Sequence, residues 1–509
     1  MFTIEPFSDA VTLDEFDVRT IPRPYPDTPP LPPAATPEPA HFGYMFPDLQ
    51  KDPSALLPTS PRTVSALKEL GDTMSEPGTD PALDSSIPSA YTYFGQFVDH
   101  DITLMGIPGE VDFDDPNLKP LSPDRIGRIV NHHTPGLDLD SIYDESPRAG
   151  INLMLIGRVT TGVPPRPLGK GDDFYDLPRL GPLAEIPERE RVPRVGDRRN
   201  DETTIVSQLH AAFLRAHNVI VAGGYDHHAA RRLLRLYYQT VVVNDFLPRV
   251  ADASVLDEML SGPWEFYDPP DSTFFMPFEF TAAAYRFGHS MVRESYDIND
   301  RFTAEFAPVL SLFNVFGRYT TLPENWMIRW GNFLDGGSNR ARLIDTRLTA
   351  SLSNLPGFPP RADGTLPEHR LPVLTLLRGY VLNIPTGQAV ADALRLRPAD
   401  RMSDADIESV AARIPGGRQL GVLRAVRTAE DGTKWKLSAR TPLWFYVLAE
   451  AAYLNGGKRL GPVGSRLVAG VLVTLARRGR DSILQLPGLT AAVRPDFKLE
   501  DLMRLARVL

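Results

Sequence analysis

Hydrophobic positions along this chain recur every three or four residues over long stretches and rarely every two. In residues 201–222 (DETTIVSQLHAAFLRAHNVIVA), Ile205, Leu209, Ala212 and Phe213 fall at helical spacing and predict a helix. After a break at Gly223-Gly224, residues 228–246 (HAARRLLRLYYQTVVVNDF) predict a second. Residues 91–103, 281–294 and 440–455 predict further helices. Strand-like alternation is scarce and no internal repeat is present. The pattern implies a mainly α fold with little β-structure, organised as one large helical domain over residues 61–509. Residues 1–60 read as an N-terminal arm, because residues 21–40 (IPRPYPDTPPLPPAATPEPA) carry nine prolines and so favour an extended polyproline-type path. Its simplest role is a strap over the main body.

Composition narrows the classes. The chain has 509 residues, 42% of them hydrophobic and 23% charged, which is ample for a large buried core. A formal net charge of −10 argues against nucleic acid as a partner, since neutralising phosphates needs a basic face. There is no cysteine, which excludes disulfides, zinc–thiolate sites, iron–sulfur clusters and cysteine-ligated or C-x-x-C-H-attached haem. The acidic start MFTIEPFSDAVTLDEFD lacks the basic and apolar regions of a secretory signal. The longest apolar run, Leu467 to Ala476, is far short of the roughly 20 residues of a membrane span. The expected address is the cytoplasm, or the exterior reached without a signal of that kind.

Among ten histidines, His41, His132, His133, His227, His228 and His369 sit in polar contexts that suit a surface. His210 and His217, seven residues apart on one predicted helix, suit hydrogen-bonded core positions. His100 and His289 stand apart because of their neighbours. In YTYFGQFVDHDIT (residues 91–103), Gln96 and His100 lie one turn apart, and Asp99 and Asp101 flank His100 at about 100° to either side. An exposed acidic face would explain the carboxylates, but Phe94, Phe97, Val98 and Ile102 imply burial, which is costly for paired carboxylates without a purpose. In VGDRRNDETTIVSQLH (195–210), Asp197, Asp201 and Glu202 suit the first turns of a helix, and Arg199 with Glu202 suits a surface ion pair. In AAAYRFGHSMV (282–292), small residues and Gly288 permit close approach of something large and flat beside His289.

Taken together, FGQFVDHD, GDRRNDE and RFGH occur in the order of the haem-site motifs of the animal haem peroxidases, the cyclooxygenase–myeloperoxidase superfamily, and the chain resembles that family over roughly residues 85–400. Supporting segments LRAHN (214–218), NDFLPR (244–249) and LDLDSIY (137–143) look like its bacterial members. The resemblance implies a helical haem peroxidase fold and assigns roles residue by residue. His100 would be the distal general acid–base, Arg199 the distal arginine and Gln96 the distal glutamine. His289 would ligate the iron of haem b, and Arg286 would lie near a propionate. Asp99 and Glu202 match the carboxylates that some members join to haem methyl groups by ester bonds. Thr203 stands where certain members place a methionine joined to a vinyl group, so that link is excluded here.

Asp101 matches an aspartate that in the family shares a calcium ion with a T-x-x-x-D-x-[SD] loop. Here NHHTPGLDLDSIY supplies Thr134, the Gly136 carbonyl, Asp138 and Asp140, hard oxygen ligands suited to calcium. The sequence does not assign the family's asparagine partner of the proximal histidine: Thr375 falls nearest that position, and Asn383 lies too far along. Three functions stay open. One is a peroxidase that reduces hydrogen peroxide and oxidises halide, thiocyanate or small organic donors. Another is a fatty-acid dioxygenase of the cyclooxygenase or α-dioxygenase branch, and the last a non-catalytic binding module. The family's oxygenases carry a radical tyrosine three residues before the proximal histidine, where this chain has Arg286. Tyr285 is one position off, about 100° around a helix, which favours the peroxidase.

Overall fold

The computed structural model describes residues 40–485 and 494–509, except residues 77–79, 110, 144–151, 166, 168–173, 180–192, 271–273, 307–320, 356–359, 362 and 480. All nine prolines of residues 21–40 that predict the arm therefore lie outside the described residues. Residues 40–60 pack into the body. Tyr44 Oη donates to Leu382 O at 2.8 Å, and buried Glu279 accepts the Met45 and Phe46 amides at 2.9 and 3.1 Å.

The helices are α1 (Pro61–Asp72), α2 (Ala90–Ile102), α3 (Thr204–Ala222), α4 (His227–Val241), α5 (Ala253–Ser261), α6 (Leu371–Val381), α7 (Leu443–Asn455) and α8 (Pro462–Arg478), among shorter turns. Helices α3 and α7 are buried nearly all round, from Thr204 to Ile220 and from Leu443 to Ala451, as apolar helices at the centre of a large domain must be. Thr203 starts α3 by accepting the Val206 amide, and Asp226 starts α4 by accepting that of Ala229. No helix among the described residues is long and apolar enough to cross a membrane.

Strands are short, as the pattern implied. One sheet nevertheless ties the site together: β1 (Ala40–Gly43), β2 (Met105–Gly106), β3 (Val130–Asn131) and β4 (Phe275–Pro277) lie in the order β2-β3-β1-β4. β1 runs antiparallel to β3 and parallel to β4. β2 follows the helix that carries His100, β3 leads into the acidic loop, and β4 leads into the segment that carries His289.

Two predicted helices differ in detail. The segment around His289 is no regular α-helix: a π-helical turn (Glu279–Ala283) gives way to a 3₁₀ segment (Ala284–Met291), with the break at Ala283, whose φ is −133° and ψ −76°. Helix α4 likewise ends in a π-helical turn over Val242–Phe246. Apolar spacing cannot distinguish these windings from an α-helix over so few residues.

Candidate active site

Helix α2 carries His100 into the interior, where its side chain is buried. His100 Nδ1 lies 2.9 Å from Asn200 Oδ1. Burial, and after it the positive charge of Arg199, push the imidazole down to about 4, so it is neutral near pH 7. Gln96, one turn earlier, and Asp99 are half-buried. Thr103 Oγ1 donates to Asp99 Oδ1 at 3.1 Å.

Arg199 sits on a 3₁₀ turn (Arg198–Asp201) that Asp197 caps by accepting the Arg199 amide at 2.8 Å. The same carboxylate takes Arg199 Nε at 2.9 Å and Nη2 at 2.5 Å, and lies 2.9 Å from His133 Nε2. Nη2 also donates to the carbonyls of His100, at 3.3 Å, and Thr103. That leaves Nη1 without a partner among the described residues. Despite burial, the hydrogen bonds from His133 and Arg199 hold Asp197 far below the usual carboxylate range. Asp197, Asp201 and Glu202 thus precede α3, with the 3₁₀ turn between, and do not occupy its first turn as the sequence suggested. Glu202 is accessible to solvent, yet desolvation by the protein around it pushes its carboxyl up to about 7.

On the 3₁₀ segment, Arg286 lies three residues before His289. At about 120° per residue the two share one edge. Desolvation, then the charges of Arg286 and Arg378, drive the His289 imidazole well below its ordinary value. Its Nδ1 is buried without a partner, so Thr375, whose hydroxyl donates to Leu371 O at 2.8 Å, does not replace the family's asparagine here. Trp444 of α7 sets its ring edgewise against His289, 6.0 Å between centroids, and donates from Nε1 to Arg286 O at 3.0 Å. Arg378, on α6, is pushed down to about 9 by the charge of Arg286 and by burial. Arg286 Nε is buried with no acceptor. A Cβ built on Gly288 would meet nothing within 4 Å.

These observations fit a large anionic group. Two enclosed guanidiniums repel each other, Asp99 being the one acidic group among the described residues that offsets them, and two carboxylates of a flat macrocycle would complete them. Asp99 also acts on His100, and Arg199 on Arg286, so charged groups of the two histidine-bearing segments lie within electrostatic reach of one another. Tyr285 points elsewhere: its hydroxyl donates to Gly95 O at 3.1 Å and its ring stacks on Phe280 at 4.6 Å.

Asp101 is buried and accepts the amides of Leu139 and Ser141 at 3.2 and 3.3 Å. Burial, then the charge of Asp140, push it up to about 7, and Asp138 rises for the same two reasons and through Asp101 itself. Asp138 Oδ1 and Ser141 Oγ are buried without partners. Crowded carboxylates and orphaned oxygens suit a hard divalent cation. Thr134 and Gly136 lie on the same loop, although the Thr134 carbonyl accepts the Gly136 amide at 2.8 Å and Asp140 reaches Arg231 at 3.5 Å. Among the described residues no three acidic or histidine side chains are already drawn to metal-ligating distance of one point.

Several participants were not read from the sequence. Asn200 and His133 bind the distal residues, Arg378 joins the cation pair, and Ser141 adds an oxygen. The nearest signals were an asparagine inside GDRRNDE, a histidine just before Thr134 and an arginine three residues after Thr375. Two histidines expected at the surface are not there. His133 is drawn in by Asp197, and buried His227 packs 4.8 Å from the His217 ring. His217 is bonded at both nitrogens, but buried His210 leaves Nε2 unpartnered.

Comparison with known proteins bears on the family and the fold. The profile of the family described as animal haem peroxidase matches residues 112–365, a stretch holding Arg199, Arg286 and His289 but not His100. A peroxidase-like protein of Margaritifera margaritifera is 28% identical over 251 residues, 40% of this chain, and the chain spans about a third (32%) of that relative's length. The solved structure of peroxidase A from Dictyostelium discoideum shares the fold, with a TM-score of 0.56, 16% identity and 88% of each chain covered. Fatty acid alpha-dioxygenase of Arabidopsis thaliana aligns with a TM-score of 0.50 and 12% identity over 91% of this chain and 76% of that one.

Proposed function

We propose that this chain, which belongs to the animal haem peroxidase family, is a peroxidase that reduces hydrogen peroxide and oxidises halide, thiocyanate or small aromatic donors. The observation that carries the reading is the pairing of a neutral, buried His100 with the clamped cation of Arg199, within electrostatic reach of the segment that holds Arg286 and His289.

His289 would ligate the iron of haem b, and Arg286 and Arg378 would receive its propionates. Asp99 and Glu202 are the candidates for ester links, and Thr203 leaves no sulfonium link. When bound, the haem supplies the electrons that cleave the O–O bond. His100 would take a proton from one peroxide oxygen and return it to the other, which departs as water. Arg199, through the unpartnered Nη1, stabilises the charge that separates as that bond breaks. Gln96, one turn from His100, would hold a pocket water or an anion. Calcium bound by Asp101, Thr134, the Gly136 carbonyl, Asp138 and Asp140, with Ser141 added, would brace the end of α2 beside His100.

The fold alone does not separate peroxidase from dioxygenase. Tyr285 favours the peroxidase: the 3₁₀ winding turns it away from the His289 edge, and its phenol is engaged with Gly95. A non-catalytic module would have no use for the cost of burying His100 beside the half-buried cation of Arg199. Reconstitution of the full chain with haem tests the proposal. Peroxide-dependent oxidation of iodide and of a phenol supports it, whereas oxygen uptake with a fatty acid and no peroxide requirement replaces it with the dioxygenase.

A further inference from the structure

Behind the distal pocket, His100, Asn200 and His210 form an unbroken row. His100 Nδ1 lies 2.9 Å from Asn200 Oδ1, and Asn200 Nδ2 lies 3.0 Å from His210 Nδ1. All three side chains are buried. His210 comes from α3, His100 from α2 and Asn200 from the 3₁₀ turn between Asp197 and Glu202.

A primary amide has one end that only accepts and one that only donates. The Asn200 oxygen therefore requires a proton on His100 Nδ1. The Asn200 nitrogen requires a bare His210 Nδ1, which puts that ring's proton on Nε2, the atom left without a partner. Turning the amide over would reverse both rings at once and leave His100 with a proton on Nε2, unable to accept another there. One feature opposes the reversal. Arg199 lies close enough for its charge to act on the His100 ring, and a lone pair on the pocket side is favoured over an N–H beside that cation. Phe97, three residues before His100 on α2, sets its ring edgewise to His210 at 6.2 Å and stacks on Phe213 at 4.7 Å, which keeps Nδ1 of the second imidazole facing Asn200. The other charged groups acting on His100 are Asp197 and Asp99, and Asp197 also acts on His210.

We propose that Asn200 is a positioning residue which, backed by His210, locks His100 in the Nδ1–H tautomer and so keeps the Nε2 lone pair turned to the pocket. The use made of that lone pair rests on the peroxidase reading; the tautomer itself does not. The lock works without any group changing its charge.

The test is nitrogen NMR on the full chain with ¹⁵N-labelled histidine, loaded with metal-free protoporphyrin, which is diamagnetic. A bare and a protonated ring nitrogen differ widely in shift, so each tautomer is read directly. In the unaltered protein the expected protons are on His100 Nδ1 and His210 Nε2. In Asn200→Asp the carboxylate accepts from both rings, so His100 keeps its Nδ1 proton while His210 moves its proton to Nδ1. In Asn200→Leu the His100 signals shift toward the Nε2–H form, and the haem-loaded variant reacts with peroxide about 10- to 100-fold more slowly. A proton on His100 Nε2 in the unaltered protein overturns the proposal. So does an Asn200→Asp variant in which His210 is unmoved, a comparison that survives if Asn200→Leu does not fold. If the tautomers are as expected but the haem-loaded protein ignores peroxide, the peroxidase reading fails and the lock stands.

Discussion

Asp197 grips Arg199 from three directions, accepting its amide at 2.8 Å, Nε at 2.9 Å and Nη2 at 2.5 Å. His133, on the loop that also carries Thr134 and Asp138, lies 2.9 Å from Oδ2, the same carboxylate oxygen that takes Arg199 Nε and Nη2. The arginine assigned to the O–O bond is thus oriented from the acidic loop. Asp197→Asn keeps the shape but removes the charge and one of the acceptors. The expected result is a rate of reaction with peroxide lowered by about 10- to 100-fold, matching the 1.5–3 kcal/mol of a charged hydrogen bond. Stopped-flow absorption checks it, and an unchanged rate would mean Arg199 needs no anchor.

Arg378 is the member of the cation pair that the sequence did not disclose. With the macrocycle absent, its removal relieves the repulsion from Arg286; with it present, a propionate loses its partner. Arg378→Leu should weaken haem binding by about 10- to 100-fold while leaving the thermal stability of the haem-free protein equal or higher. Haem titration followed by calorimetry on both forms distinguishes this from a general loss of structure.

The acidic loop gives a prediction about metal. If Asp101 and Asp138 share calcium, a strong chelator should lower Tm and slow the reaction with peroxide, and added calcium should restore both. Asp101→Asn should lose that response. A Tm indifferent to chelator and calcium in the unaltered protein would remove calcium from the account.

Glu450 offers a pH test away from the site. Its carboxyl accepts the amides of Val463 and Gly464 at the start of α8, and burial pushes it up to about 8 from an ordinary value near 4.5. A carboxyl raised on folding binds its proton more tightly folded than unfolded. Its contribution is therefore fully present below about 4.5 and declines as pH rises through about 8, by about 1.4 kcal/mol for each pH unit between the two values. Glu450→Gln has no proton to lose, so relative to the parent it should gain stability steadily from pH 5 to pH 8. Denaturant unfolding across that range checks the sign, and a difference independent of pH would contradict it.

Tyr285 separates the two enzymatic readings. Tyr285→Phe removes one hydrogen bond to Gly95 O, expected to cost about 1 kcal/mol of stability and to leave peroxide-dependent oxidation of small donors within a few-fold. A fatty-acid oxygenation activity abolished by this change would favour the dioxygenase.

Much of the site was legible because its chemistry is written in short segments: His100 with its flanking carboxylates, Arg199 in GDRRNDE and His289 after RFG. Helices α2, α3 and α7 were legible because their apolar faces repeat over three turns or more. The winding at residues 279–291 was not, since a π-helical turn and a 3₁₀ segment bury the same small residues an α-helix would. Nor were the partners that tertiary folding supplies. His133 and Asp197 lie 64 residues apart and Asn200 and His100 lie 100 apart, while Arg378 reaches Arg286 from another helix. A sequence pattern records which residues sit on one face, and contacts between faces require the fold.

The most direct measurement is the absorption of the haem-loaded full chain, mixed rapidly with one equivalent of hydrogen peroxide, for the unaltered protein and for His100→Ala. The expected result is a Soret band that shifts within milliseconds in the former and reacts about 10²- to 10⁴-fold more slowly in the latter, with haem retained in both. Equal rates in the two proteins, or a chain that takes up no haem at all, would contradict the account.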